Sequence, residues 1–177
     1  MSALRRFLAG IDAVCDWAAN VAAIVVVLIA ALAILDILVR GFFNFGLTFA
    51  LEYESYALGI AMFAGSGWAL RHGAHIRVSL FVNLLPARGR HWADLVATAL
   101  SLGVSGYVSV AIVAYVLTTA ERGTVSIHIS QTPLIYPQAL FAASVCTITL
   151  ALFARLVRLL IGDLPEFKEP DLISSAQ

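Results

Sequence analysis

Charge is what this chain has least of. Only 12% of its 177 residues are Asp, Glu, Lys or Arg, while 61% are hydrophobic. Soluble domains carry about twice that charge and fewer apolar residues. Together with a mean hydropathy of +0.93, this excludes an ordinary water-soluble fold and points to lipid. Cysteine is almost missing: Cys15 and Cys146 each lie in or beside an apolar stretch, which leaves no disulfide framework or thiolate cluster and makes them packing residues. The net charge is zero, so no basic surface calls for nucleic acid. Fixed-period repeats and low-complexity linkers are absent as well. The chain therefore reads as a single membrane domain over 1–177, with a polar tail over 162–177.

What is present is long uncharged runs. Trp17 to Leu35, Ser55 to Leu70, Leu95 to Ala120 and Ile129 to Ala154 contain no Asp, Glu, Lys or Arg. Backbone groups in lipid must pair within their own segment, so each run is expected as a helix. The fold class is an all-α integral membrane protein with four transmembrane helices, spanning about 17–39, 52–71, 94–120 and 130–155. A cleaved signal peptide is the competing reading of the first run. That run is longer than a signal core and has no small-residue cleavage site before Asp36, so a retained helix is expected.

The basic residues give the orientation. Arg5, Arg6, Arg71, Arg77, Arg88, Arg90, Arg155, Arg158 and Lys168 would share one side, against Arg40 and Arg122 on the other. The positive-inside rule then puts both termini in the cytoplasm. Two segments on that side are amphipathic. Leu4, Phe7, Leu8, Ile11 and Cys15 share a helix face opposite Arg5, Arg6, Asp12 and Asp16, and Val78, Phe81, Val82 and Leu85 repeat the pattern until Pro86. Either lies in the membrane interface or is a bent continuation of a span.

The spans offer little to catalysis. Ionisable residues at membrane depth mark ion and proton paths, and these runs hold none. His72, His75, His91 and His128 all lie outside them, which disfavours a haem-bearing electron-transfer subunit. His72 and His75 are three apart, but no cysteine or carboxylate nearby completes a metal set. No cofactor and no enzymatic activity is expected. Glu52 and Glu54 open the second span, as sodium or proton ligands or merely as acids suited to a helix N-terminus. Asp36 and Arg40, four apart, are expected to pair. Small side chains recur every fourth residue at Ala57, Ala61, Gly65 and Ala69, at Ala97, Ser101, Ser105 and Ser109, and at Ala139, Ala143, Thr147 and Ala151. Such stripes let membrane helices approach closely, within the chain or with a partner.

Glu52-Tyr53-Glu54-Ser55-Tyr56, then Gly65, then Ala69-Leu70-Arg71-His72-Gly73-Ala74-His75-Ile76-Arg77-Val78 resembles the small permease subunit of tripartite ATP-independent periplasmic (TRAP) transporters, the DctQ-like family. Ile129-Ser130-Gln131-Thr132-Pro133-Leu134-Ile135-Tyr136-Pro137 fits that family's entry into the last span. The resemblance covers about residues 5–160, departing at Ser79, where members usually carry an acid. It implies a scaffold beside a large multi-helix permease, with a soluble periplasmic substrate-binding protein, sodium coupling, organic carboxylates as solute, and a bacterial inner membrane. Glu52, Glu54, Ala57, Ala61, Gly65, His75 and Arg77 are the partner-facing candidates, with Arg40 and Arg122 toward the binding protein. The alternatives are a stand-alone small transporter and an electron-transfer subunit.

Overall fold

The computed structural model describes residues 2–72 and 86–162. The second amphipathic segment, His75, Arg77, Ser79 and the polar tail from 163 onward lie outside them. Four helices account for nearly all of the described chain: α1 (Ser2–Phe43), α2 (Ala50–Arg71), α3 (Ala87–Arg122) and α4 (Ile135–Ile161). Helix α4 packs against the other three, α1 also packs on α2, and α3 touches α4 alone. The protein is thus an all-α membrane protein. By length and composition, α1, α3 and α4 are apolar and long enough to cross a bilayer. Helix α2 is not among them: its 22 residues are diluted in hydropathy by glycine, serine, tyrosine and tryptophan as well as by Glu52, Glu54 and Arg71.

The N-terminal amphipathic segment is not a separate element. It runs without a break into α1, whose 42 residues extend about 63 Å. Its apolar face is covered by protein: Leu8, Ile11 and Cys15 are buried with Ala151 and Ala154 of α4, flanked by Leu70 and Val157. A turn further on, Ala18 and Ala22 pack against Ala61 and Ala64 of α2. The buried positions 8, 11, 15, 18 and 22 alternate steps of three and four, the seam of left-handed helix packing. The α3 seam follows the same rule through Thr98, Leu102, Ser105, Ser109, Ile112, Val116 and Thr119, all buried or half-buried. Here hydroxyls join the helices, since Ser105 and Ser109 lie 2.6 and 2.8 Å from the Thr149 hydroxyl of α4. Such bonds replace the hydrophobic drive that lipid cannot supply.

The last helix starts later than its uncharged run. Residues 129–134 belong to the 123–134 loop, in which Val125 and Pro133 form an antiparallel bridge. Pro133 ends the loop and Pro137 falls in the first turn of α4, where a missing N–H costs nothing.

Candidate functional site

The polar side chains gather at the two ends of the helix bundle. At one end, α1 supplies Asp12 and Asp16, one turn apart on a single face. Arg71, the last residue of α2, donates through Nη1 to Asp16 Oδ1 (2.8 Å) and to the Asp12 carbonyl oxygen (2.9 Å). Its Nε lies 3.1 Å from Asp12 Oδ1, an ion contact without hydrogen-bond alignment. Arg158 of α4 reaches the other Asp12 oxygen at 2.5 Å. Three helices therefore meet in one charge cluster. A second, looser link ties α3 to α4: Arg155 lies 3.6 Å from Asp94 and donates to the buried Thr98 hydroxyl at 3.4 Å. Three of the arginines that set the orientation are thus also structural. All three tryptophans of the chain, Trp17, Trp68 and Trp92, stand exposed within a turn of these charges, as they do at a membrane–water boundary. His72 closes α2 by stacking on Trp68 at 4.0 Å.

At the other end the centre is Glu52, in the first turn of α2 and only 3% exposed. The Tyr56 hydroxyl donates to its Oε1 at 2.9 Å, and the Ser130 hydroxyl donates to Oε2. Tyr53 and Thr132 pair their hydroxyls at 3.0 Å, and Thr132 in turn donates to Ser130. The loop over 123–134 is held in its own right: Ser126 N donates to Thr132 O and Leu134 N to Thr124 O, while His128 N donates to the Ser126 hydroxyl. Gly123, left-handed at φ 59°, starts it, a conformation glycine adopts without a Cβ penalty. Glu52 therefore clamps the loop to α2. Replacing it with alanine strands the hydroxyls that now serve it. We expect a loss of about 1–3 kcal/mol of local stability, read as roughly ten- to hundred-fold faster amide exchange at Ser126 and Leu134. Exchange in the middle of α4 should not change.

The remaining candidates divide by neighbourhood. Glu54 is half-buried with one carboxylate oxygen lacking a hydrogen bond, as has the Gln138 amide oxygen. Ala61 is buried against α1, Gly65 faces Ala22, and Ala57 is half-buried. Arg40 pairs with Asp36 at 2.5 Å, as their spacing predicts, and Asp36 also accepts from Leu47 N at 2.7 Å. This pair organises the turn between α1 and α2, with the Arg40 guanidinium over Gly46 so closely that a Cβ there would meet it at 2.9 Å. Arg122 is exposed in the last turn of α3. The cluster around Arg71 went unread in the sequence, although Asp12 and Asp16 share a face at the level where α2 and α4 end in arginines. The partners of Glu52 were missed as well; the hydroxyl-rich stretch from Ser126 to Thr132 was their signal.

Two charged layers, with apolar and uncharged polar side chains between them, define a helical membrane protein with no charged centre at mid-depth among its described residues. The comparison with known proteins is specific. The family described as tripartite ATP-independent periplasmic transporters, DctQ component, matches residues 29–162, and the chain belongs to it as a small permease subunit of a TRAP transporter in a bacterial inner membrane. It is similar to the ectoine TRAP transporter small permease protein TeaB of Halomonas elongata, with 30% identity over 107 residues, which cover 60% of this chain and 55% of that protein. The chain thus spans about half the length of this curated relative. No solved structure matches.

Proposed function

We propose that this chain is the scaffold of a sodium-coupled TRAP transporter for organic carboxylates, holding a large permease subunit while contributing no ligand to solute or sodium, and that it is not an enzyme. The carrying observation is where its charge goes. Asp12, Asp16, Asp94, Arg71, Arg155 and Arg158 are spent in helix-to-helix pairs at one end, Asp36 and Glu52 in loop anchoring at the other. Between those two ends the described helices hold no Asp, Glu, Lys, Arg or His, their polar side chains being hydroxyls, cysteine and the Asn20 amide, which supports packing rather than passage of an ion.

The same two layers support four crossings. Glu52 and Arg71 are separated along α2 by about 28 Å, and Asp16 and Asp36 along α1 by about 30 Å. Both match a hydrocarbon core of about 30 Å. Helix α2 lies beside α1 and α4, so it crosses with them despite its acidic start. Basic residues concentrate at the Arg71 end, which supports a cytoplasmic location for that end and both termini. The large permease and a soluble periplasmic binding protein are the partners expected from family membership. TeaB carries ectoine in its name; for this chain the solute class rests on the family resemblance.

Reconstitution tests the reading. Vesicles holding this chain alone should take up no labelled mono- or dicarboxylate under a sodium gradient. Vesicles that also hold the large subunit and binding protein should accumulate a member of that panel. Uptake by the chain alone would favour a stand-alone transporter. Loss of sodium or solute binding in an assembled Glu52→Ala or Glu54→Ala complex would overturn the absence of a ligand role.

A further inference from the structure

The loop between α3 and α4 ends in a tip unlike an ordinary water-facing turn. Ile127 is fully exposed and Ile129 is 84% exposed, with exposed His128 between them. From Gly123 to Ala139 there is no Asp, Glu, Lys or Arg. The tip is nonetheless built rather than loose: Gln131 N donates to His128 O, Gln131 holds a left-handed φ of 45°, and Ser130 is bonded to buried Glu52. Ordering a segment costs conformational entropy, here spent on presenting two branched aliphatic side chains outward.

The register of the helices sets the level of this tip. Gly59 faces Phe141 and Gly67 faces Ala151, which levels Tyr53 of α2 with the first turn of α4. Ser105 and Ser109 against Thr149 level the last turn of α3 with that same turn. The loop therefore starts and ends at the level of Glu52 and Tyr53, which it touches through Ser130 and Thr132. At the starts of α2 and α4, Phe49, Tyr53 and Tyr136 are also exposed, aromatics of the kind that mark the headgroup zone.

We infer that the 123–134 loop is an interfacial anchor, with Ile127 and Ile129 seated among the lipid headgroups and upper acyl chains. Continuity with the exposed apolar belt of the spanning helices favours lipid, and a tip without Asp, Glu, Lys or Arg offers little to steer a soluble protein through water. Glu52, by clamping Ser130, fixes the depth at which the two isoleucines sit. The inference needs the chain to span a membrane but does not depend on the scaffold role or on the solute.

The test uses the full chain with Ile127→Trp or Ile129→Trp in lipid vesicles. Emission is compared with the parent, whose tryptophans sit at the opposite end. The added emission should be blue-shifted, largely lost in vesicles whose acyl chains are brominated near the headgroup, and resistant to aqueous iodide. Quenching by iodide without quenching by bromine would put the tip in water and overturn the inference. Indifference to both quenchers would mean a protein surface covers it, as would iodide protection that appears only when a periplasmic binding protein is added. Both positions are exposed, so if one variant misfolds the other reads the same depth.

Discussion

Arg71→Met is expected to lower the unfolding free energy of the chain in detergent by about 2–4 kcal/mol. Arg71 engages Asp12 twice and Asp16 once, so its loss leaves two acids at the α1–α2–α4 junction, with Arg158 still in contact with Asp12. Removing one partner of a fully buried pair costs about 3–5 kcal/mol. The Arg71 side chain keeps 23% of its exposure, which lowers the expectation. Denaturation of Asp12→Asn, Arg71→Met and the double variant would give a coupling energy of about 1 kcal/mol or more if the cluster acts as a unit. An Arg71→Met chain with the stability of the parent would show that the junction holds by packing alone.

Gly67→Leu should be more damaging still, because the position has no room. A Cβ at Gly67 would lie 3.2 Å from Cys15 Sγ, 3.4 Å from the Thr147 carbonyl oxygen and 3.5 Å from Ala151 Cβ. Those atoms belong to α1 and α4, so a side chain here pushes on two helices together. Alanine is expected to cost about 1 kcal/mol and leucine about 3 kcal/mol or more, since overpacking forces backbone shifts. The Cys15 sulfur is the nearest atom and the one able to be removed. Adding Cys15→Ala to Gly67→Ala should therefore recover part of the loss, whereas it should cost stability in the parent, where Cys15 is fully buried. Thermal melts of the four proteins decide this. If Cys15→Ala is equally harmful in both backgrounds, the three-helix contact is not as tight as the geometry states.

Gly67 also shows where sequence reading reached its limit. The small-residue stripe through Ala57, Ala61, Gly65 and Ala69 identifies α2 as a packing helix, and Ala61 and Gly65 do face α1. Yet the tightest contact falls at Gly67, and Ala64 is buried where the stripe has no member. A period of four drifts across a helix surface whose true contact alternates three and four. The helices themselves were legible because uncharged length is a strong signal in a chain this apolar. Their ends were not. α1 continues fifteen residues before its uncharged run, since Asp12 and Asp16 are neutralised by partners from α2 and α4 that local sequence cannot show.

Glu52 illustrates the same boundary. As a sequence feature it is an acid at a helix start, which suits the helix dipole better than ion binding. Only the return of the 123–134 loop reveals that Ser130 joins Tyr56, one turn on in the same helix, in donating to its carboxylate. The Asp36–Arg40 pair, by contrast, was readable from spacing alone, because both partners belong to one helix.

The claim at the centre of this account is that the helices exist to hold another membrane protein. Affinity purification of the tagged chain in a mild detergent, from cells that also express the large permease subunit of its own system, tests it directly. The account predicts that the large subunit elutes with the chain in stoichiometric amount. A chain that elutes alone from cells whose membranes contain the large subunit would contradict it.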